Sequence, residues 1–432
     1  KKVSRKVIEE NRWSLNPGRY VTPVEAPASL TRLRIRGVRT LDDVTLDLGA
    51  GLTVLIGENG SGKSTVLECL EILRRAATPS FFDDFHRIHG GLPALLRKGA
   101  AQMELTAEFG HPTTPFLYRI VLRGEDGFTR IAEEELRPED PRSEPWFLRT
   151  PAGVSVLGKR LPRRTEGADA LATTTLLAGQ FPRLPGLLLD GVERARATIA
   201  AIDVQLPFDV AADWANRAAN RVVATRTSIT LRRAERLERF GANLANAWAS
   251  LRTEFDEAHW QRTMDLVRLG LGEHIEAVTT RADPAGGAVA LWVKFRGLDE
   301  PIPPVALSDG SLAYLALVAL TRLEGGRSLL ALDEPELHLH PRLLQRVVGL
   351  LEEAAVARPV ILATHSRRLL DLLDDPLRSV AVLGVEGSPP TTTVLRPDAD
   401  ALRAWLDVYD GLGRVLDEGH ERDVMKPTGE RP

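Results

Sequence analysis

Cysteine is almost absent from this sequence, since Cys69 is the only one in 432 residues. A single cysteine excludes an intramolecular disulfide and a cysteine-based zinc site. Long apolar runs are missing too, because no segment approaches the ~20 residues that a membrane-spanning helix needs. We therefore expect a cytoplasmic protein that does not enter a membrane. Cys69 follows a glycine-rich loop in a segment with helical spacing, which predicts a buried side chain rather than a redox function.

A strong excess of charge of either sign is also lacking. The formal net charge is -3 at pH 7, so the whole protein creates no field that would attract a polyanion. If DNA or RNA binds, a local basic patch must bind it. Seven arginines outnumber their acidic neighbours and are candidates for phosphate contacts, although a solvated helix face with Arg–Glu pairs is the alternative interpretation. They are Arg217, Arg221, Arg226, Arg232, Arg233, Arg236 and Arg239.

The sequence GENGSGKST at residues 57–65 follows an apolar, strand-like segment and precedes a segment with helical spacing. A glycine-rich loop between a strand and a helix is typical of a P-loop. Its glycines let successive backbone N–H groups face phosphates, and the helix N-terminus adds a favourable dipole. We predict that Lys63 reaches the β- and γ-phosphates, that Ser64 binds Mg²⁺ and that Thr65 contacts the α-phosphate. The predicted nucleotide-binding residues of this loop are Asn59, Gly60, Ser61, Gly62, Lys63, Ser64 and Thr65.

A second motif, SLLALDEP at residues 328–335, is a buried strand that ends in two carboxylates. We predict that Asp333 binds the metal beside the phosphates. The adjacent Glu334 is suitably placed to polarise a water molecule for attack on the γ-phosphate. Together with the P-loop, this strand predicts ATP and Mg²⁺ as cofactors.

Two further segments occur at informative positions. LSDGS at residues 307–311 precedes an apolar helix, and Ser308 is a good N-cap residue for that helix. Gly310 follows in the same loop. His365 follows the apolar segment PVILAT, so it lies at the end of another predicted strand.

The distribution of patterns along the chain predicts its organisation. Strands and helices alternate in the final part, which favours a parallel, doubly wound core. An antiparallel β-rich region and a mostly helical region interrupt this core. The predicted parts are an N-terminal arm (1–29), the first half of an ATPase core (30–80), a β-rich lobe (81–170), a helical insertion (171–272), the second half of the core (273–396) and a C-terminal helix and tail (397–432).

The glycine-rich loop, the LSDGS segment, the acidic strand and His365 follow one another along the chain as in ABC-type ATPases of the SMC/RecF-like clade, which this sequence resembles. The segment EPELHLHP is similar to one in bacterial OLD-like ATPases. The resemblance implies an α/β P-loop NTPase fold, the ABC-type head, with an antiparallel β lobe and an α-helical insertion. It also implies a homodimer in which ATP lies between one subunit's P-loop and the signature loop of the other, with Ser308 and Gly310. His365 would sense the γ-phosphate, so that the implied catalytic set is Glu334, His365 and Lys63.

Several positions depart from the family pattern. The signature reads LSDGS rather than the transporter form LSGGQ, and His340 occupies the usual aspartate position of the D-loop. His338 and His340 lack an evident third ligand, so we expect them to line the dimer contact rather than bind a metal. Gln180 is the candidate for the glutamine that contacts Mg²⁺ in this clade.

We therefore predict an ATP-hydrolysing dimeric switch, linked to nucleic-acid repair or to antiphage defence. The sequence contains no evident set of nuclease residues, so the effector would be a separate nuclease or toxin-like protein. A higher oligomer built from head dimers remains open. One alternative is a slowly hydrolysing scaffold or sensor for a toxin-like partner. The other is the ATPase subunit of a transporter, against which the large insertion and the LSDGS form both count.

Overall fold

The computed structural model describes residues 28–49, 51–125, 127–160, 176–180, 190–211, 223–282, 287–323, 325–406, 409 and 411–427. Within these residues the chain forms three β-sheets, of eight, seven and three strands. In chain order, the strands are β1 (Ser29–Val38), β2 (Leu41–Asp47), β3 (Leu52–Ile56), β4 (Gln102–Gly110), β5 (Phe116–Glu125), β6 (Phe128–Pro138), β7 (Phe147–Thr150), β8 (Gly153–Val156), β9 (Lys159–Arg160), β10 (Ile202–Gln205), β11 (Ile229–Thr230), β12 (Ile275–Ala282), β13 (Ala288–Phe295), β14 (Leu329–Asp333), β15 (Val360–Thr364), β16 (Val380–Glu386), β17 (Thr391–Pro397) and β18 (Met425–Pro427).

The α-helices lie between these strands and at the C-terminal end of the described chain. In chain order they are α1 (Lys63–Ala76), α2 (Phe81–His89), α3 (Leu92–Leu95), α4 (Leu177–Gln180), α5 (Asp190–Ala200), α6 (Leu244–Thr253), α7 (Glu257–Leu271), α8 (Asp309–Arg322), α9 (Pro341–Ala357), α10 (Arg367–Leu370), α11 (Pro376–Ser379), α12 (Ala399–Leu406), α13 (Leu412–Asp417) and α14 (Glu421–Val424).

The seven-stranded sheet has the order β10-β14-β15-β3-β16-β17-β18. Its first five strands are parallel, and β17 and β18 extend it as antiparallel strands. The P-loop follows β3 and the two carboxylates end β14, yet β15 lies between these strands. Because the carboxyl ends of parallel strands meet at one edge of a sheet, this order brings three separate sequence motifs together.

Both faces of the parallel sheet are buried, and β14 shows how. Leu330 and Leu332 pack into the core that contains residues of α8 and α9. The alternate residues Leu329 and Ala331 pack into a second core, with residues of α1 and α5. A strand covered on both faces needs an unbroken apolar run, which explains why the sequence shows no alternation here.

The eight-stranded sheet is antiparallel and has the order β2-β1-β4-β5-β6-β7-β8-β9. Strands β1 and β2 were expected in the first half of the ATPase core, but β1 pairs with β4 of this second sheet. The burial pattern of β1 gives the reason, since Leu33 and Ile35 are buried while Arg34 and Arg36 are exposed. A strand with one solvated face is typical of an antiparallel sheet.

The region predicted as a helical insertion is only partly helical. Helices α4 to α7 are present, but β10 joins the parallel sheet, and residues 223–243 form two short 3-10 helices, strand β11 and irregular chain. Asparagine side chains bind the backbone of that segment. Asn243 accepts from Glu238 N at 2.7 Å, and Asn246 accepts from Arg232 N at 3.0 Å. These bonds satisfy backbone groups outside a helix, so the segment does not need helical hydrogen bonds.

Cys69 is fully buried in α1, as predicted, and burial raises the pKa of its thiol. Among the described helices, none is long and apolar enough to cross a membrane.

Candidate nucleotide-binding site

The glycine-rich loop connects β3 to α1, and glycine is required at both of its ends. Gly62 has φ of 100°, and a Cβ atom there would lie 2.7 Å from Leu41 Cδ2. At Gly57, a Cβ atom would lie 2.4 Å from the carbonyl oxygen of Leu383. The loop is therefore packed against β2 and β16, which leaves no room for side chains at these two positions.

Thr392 in β17 supports this loop from the far end of the chain. Its hydroxyl donates to the carbonyl oxygen of Ser61 at 2.9 Å. Its backbone N–H donates to the carbonyl oxygen of Thr40 at 2.9 Å. No local sequence pattern marks Thr392, because the contact spans 331 residues.

Lys63 is the first residue of α1, and its side chain is only 5% exposed. Its ammonium group donates to the carbonyl oxygens of Gly57 at 2.7 Å and Glu58 at 3.0 Å. Burial lowers the pKa of Lys63, while the charges of Asp333 and Glu334 oppose this effect. The ammonium thus lies inside the loop, where a phosphate would be a stronger, charged acceptor than a carbonyl.

Ser64 and Asp333 meet at the edge of the sheet, where the Ser64 hydroxyl lies 3.5 Å from Asp333 Oδ2. Burial and the neighbouring charge of Glu334 raise the pKa of Asp333, while Ser64 and Lys63 act in the opposite direction. A hydroxyl and a carboxylate are the oxygen ligands that Mg²⁺ prefers. The residues present therefore fit Mg²⁺.

Glu334 and His365 form the next part of the site. Nε2 of His365 lies 3.5 Å from Oε1 of Glu334, and their side chains are 41% and 32% exposed. Glu334 has φ of 45°, an uncommon backbone conformation for a residue other than glycine. Its N–H donates to the carbonyl oxygen of Ala363 in β15 at 2.8 Å. This bond holds the turn in place, so the carboxylate leaves the strand towards solvent rather than into the core.

Glu336, which is not among the predicted site residues, connects the two loops that carry Glu334 and His365. Its carboxylate accepts a hydrogen bond from the Thr364 hydroxyl. Ser366 N donates to the same hydroxyl at 2.9 Å. Burial raises the pKa of Glu336, against the effect of its bond to Thr364. The only sequence signal was a third carboxylate so close to the end of the acidic strand.

The predicted signature loop begins α8. Ser308 is the N-cap residue, and its hydroxyl oxygen accepts from Ser311 N at 3.1 Å. A Cβ atom on Gly310 would lie 2.8 Å from the carbonyl oxygen of His338, so the loop packs against the EPELHLHP segment of the same chain. His340 is the N-cap of α9, where Nδ1 accepts from Arg342 N at 3.2 Å. His340 therefore performs the capping that an aspartate would also provide. No cluster of three potential metal ligands occurs within the described residues.

The structure does not bring Gln180 to Ser64 and Asp333. Gln180 ends α4, and its side chain lies outside the described part of the chain. A Cβ atom on the preceding Gly179 would lie 2.3 Å from the carbonyl oxygen of Thr78, beyond the C-terminal end of α1. Since Ser64 is at the other end of α1, about 20 Å away at ~1.5 Å per residue, Gln180 is beyond side-chain reach of the predicted metal.

The described arginines of the predicted basic patch are bound to other groups of the chain. Arg217 and Arg221 lie outside the described residues. Arg226 is buried, and Arg236 Nε donates to the carbonyl oxygen of Gly325 at 2.9 Å. The other three pair with carboxylates: Arg232 with Glu238, Arg233 with Glu254 and Arg239 with Glu71. These partners favour a structural role for Arg226, Arg236 and Arg239, whereas Arg232 and Arg233 form only exposed surface pairs.

Comparison with known proteins agrees with this geometry. Residues 203–371 match a family described as "AAA domain, putative AbiEii toxin, Type IV TA system", and residues 32–141 match one described as "AAA domain". An OLD nuclease of Thermus scotoductus is 23% identical over 361 residues, which cover 79% of this chain and 60% of that protein. A DNA replication and repair protein RecF of Stutzerimonas stutzeri is 47% identical over 45 residues, 10% of this chain and 12% of that protein. The chain is similar in sequence to OLD and RecF proteins.

The sequence matches and the site geometry together support this similarity. A solved SMC head bound to the C-winged helix domain of ScpA is 14% identical, with a TM-score of 0.47, over 85% of this chain and 98% of that chain. The likeness to the OLD nuclease spans three fifths of that protein's length. The predicted resemblance and the predicted fold class, an α/β P-loop NTPase with an antiparallel β lobe, are confirmed.

Proposed function

We propose that this chain binds ATP with Mg²⁺ and hydrolyses it as a dimeric molecular switch. The observation that supports this most is the convergence of three loops at one edge of the parallel sheet, through the Ser64–Asp333 and Glu334–His365 contacts. When bound, Mg²⁺ would supply positive charge to the phosphates from Ser64 and Asp333. Lys63 would bind the phosphate oxygens directly.

In this proposal, Glu334 orients the attacking water molecule. Its carboxylate is exposed enough to contact water and lies next to His365. His365 donates a hydrogen bond to the γ-phosphate and, through its contact with Glu334, registers whether that phosphate is present. Because both residues follow adjacent strands, they approach the same phosphate from one side.

The second half of each ATP site would come from another copy of the chain. Both hydrogen-bond contacts described for the Ser308 side chain are with Ser311 in its own helix, not with the P-loop. The N-terminus of α8 carries backbone N–H groups and a positive dipole end, which together suit a γ-phosphate. We therefore propose a homodimer in which Ser308 and Gly310 of one subunit close over the ATP bound by the other.

The biological setting is proposed from the relatives. An OLD nuclease and a RecF replication and repair protein are both similar to this chain in sequence. We propose a role in nucleic-acid repair or antiphage defence, in which the ATP-dependent dimer controls a separate effector such as a nuclease. A second candidate is a slowly hydrolysing sensor for a toxin-like partner, which would use the same ATP-binding residues.

The central test compares the wild type with Glu334→Gln. The variant should retain ATP binding and accumulate as an ATP-bound dimer, while its ATP turnover falls by about 100-fold or more. Glu353→Gln, an exposed substitution on α9, is the matched control and should turn over ATP like the wild type. If Glu334→Gln hydrolyses ATP at the wild-type rate, Glu334 does not orient the attacking water molecule. A Glu334→Gln protein that stays monomeric at saturating ATP would contradict the proposed dimer.

The same measurements separate the two candidate functions. A switch that controls an effector by cycling should release ADP and return to the monomer within each turnover. A sensor should be purified with ATP still bound and should remain closed until its partner is added.

A further inference from the structure

Arg226 is a buried arginine whose guanidinium group binds the signature loop. Its side chain is 1% exposed. Nη1 donates to the carbonyl oxygens of Pro304 at 3.0 Å and Leu307 at 2.8 Å. Nη2 donates to Oδ1 of Asp309 at 2.5 Å, and Nε donates to the carbonyl oxygen of Val210 at 2.9 Å. The bound positions 307 and 309 lie on either side of Ser308.

These bonds leave the loop little freedom. The planar guanidinium presents its donors in a fixed fork, so acceptors that use all three nitrogens must keep a fixed relative position. Ser308 lies between two of these acceptors, and its hydroxyl already caps α8. The carbonyl oxygen of His338 closes the other side of the loop at Gly310. Arg226 and His338 therefore hold the loop from two directions.

Charge gives Arg226 a second effect. Asp309 is the first residue of α8, next to Ser308, so its carboxylate lies at the helix end proposed to receive a phosphate. An unpaired carboxylate there would repel that phosphate. The Arg226 guanidinium pairs with the Asp309 carboxylate, whose side chain is 38% exposed. The pairing removes the net negative charge from the helix end.

We infer that Arg226 is a positioning residue of the composite ATP site, which orients Ser308 and neutralises Asp309 so that the signature loop accepts the γ-phosphate held by a second copy of the chain. This inference rests on the proposed function, because it requires ATP-driven dimerisation. It also assigns to Arg226 a role different from nucleic-acid binding. Through Val210, the same residue connects the chain that follows β10 to the signature loop.

The experiment uses the Glu334→Gln protein as the parent, since ATP should trap its dimer. Arg226→Met, Arg226→Lys, Asp309→Asn and the double variant Arg226→Met/Asp309→Asn are made in this parent. Arg232→Met, which removes a surface pair with Glu238, is the matched control. Three quantities are measured for each protein: the ATP concentration at half-maximal dimerisation, the Kd of the monomer for a fluorescent ATP analogue, and the Tm.

Arg226→Met should raise the ATP concentration for half-maximal dimerisation by about tenfold or more, because a charge pair and a set of backbone bonds are lost together. Its monomer should bind the analogue within about twofold of the parent, since the P-loop is untouched. Arg226→Lys keeps the positive charge but loses the planar guanidinium group. Its ATP concentration for half-maximal dimerisation should lie between those of the parent and Arg226→Met. Adding Asp309→Asn to Arg226→Met should recover part of the loss, whereas Arg232→Met should match the parent.

Several results would overturn the inference. The first is dimerisation of Arg226→Met at the parent's ATP concentration. The second is a parallel loss of monomer ATP binding and Tm with no recovery by Asp309→Asn, which would mean that Arg226 only stabilises the fold. If Arg226→Met does not fold, Arg226→Lys decides: a dimerisation midpoint equal to that of the parent would overturn the inference, and a higher midpoint with unchanged monomer ATP binding would support it. Failure of the parent itself to dimerise with ATP would instead contradict the proposed dimer.

Discussion

His365 lies with Nε2 3.5 Å from Oε1 of Glu334, although the two residues belong to different strand–loop units. The contact exists because β14 and β15 are adjacent parallel strands, paired from Leu330 with Val360 to Asp333 with Ala363. The residues that follow both strands therefore reach the same edge of the sheet. We expect the pair to act on one phosphate as a unit.

A double-mutant cycle tests this unit. Glu334→Gln should lower ATP turnover by about 100-fold and His365→Ala by about tenfold. The double variant should be no slower than the slower single variant, because both residues act on the same step. Steady-state phosphate release measures all four proteins, with His86→Ala, an exposed histidine on α2, as the control. Multiplicative losses would show that the two residues act independently.

Gly62→Ala should damage the P-loop. At φ of 100° an alanine is strained, and its Cβ atom would lie 2.7 Å from Leu41 Cδ2. We expect a loss of about 1–3 kcal/mol in the free energy of unfolding and weaker ATP binding. Gly297→Ala is the matched control, since Gly297 also has a positive φ but its Cβ position is open. Chemical denaturation and ATP titration compare them; equal losses in both variants would show that the Leu41 contact does not matter.

Thr392→Val should weaken the support of the P-loop without changing side-chain shape. The variant removes the 2.9 Å bond to the carbonyl oxygen of Ser61, which we expect to cost about 1–2 kcal/mol of stability. ATP affinity should fall several-fold, as judged by isothermal titration calorimetry. The adjacent Thr393→Val removes only a 3.5 Å contact with the carbonyl oxygen of Gly384, so it should leave ATP affinity unchanged. Equal affinities in the two variants would contradict this role for Thr392.

Glu336→Gln should stabilise the protein at neutral pH. Burial raises the pKa of Glu336 in the folded protein, so the folded state holds this proton more tightly than the unfolded chain. The carboxyl thus favours folding below its unfolded pKa of about 4.3, and that contribution is lost as pH rises through the folded-state pKa. The amide has no such loss and still offers an oxygen to Thr364.

The measurement is the difference in Tm between Glu336→Gln and the wild type as a function of pH. Glu336→Gln should have the higher Tm at pH 7, which corresponds to a gain of the order of 1 kcal/mol in the free energy of unfolding. The difference in Tm should shrink towards zero near pH 4. Glu353→Gln, on the exposed face of α9, should show a smaller change across the same range. A difference that grows at acid pH would mean that the charged form of Glu336 is the stabilising one.

Much of the site could be predicted because its motifs are local. The apolar run of β14, the cap at Ser308 and the glycine loop each lie within a few residues. Their physical requirements are burial, capping and close backbone approach, and these act over short distances along the chain. Within the predicted helical insertion (171–272), residues 223–243 are not α-helical, because asparagine side chains bind that backbone instead.

By itself, the sequence determined that a P-loop, an acidic strand, a capped helix and a histidine occur in this order. Only the tertiary structure showed that β15 lies between β3 and β14 and that β1 belongs to the antiparallel sheet. It alone showed that Thr392 contacts Ser61. It also showed that Arg226, a candidate for phosphate contacts, binds the signature loop instead. The physical reason is the same in each case. Strand order and buried side-chain bonds depend on residues far apart in the chain, and no local periodicity records which distant partner a residue meets.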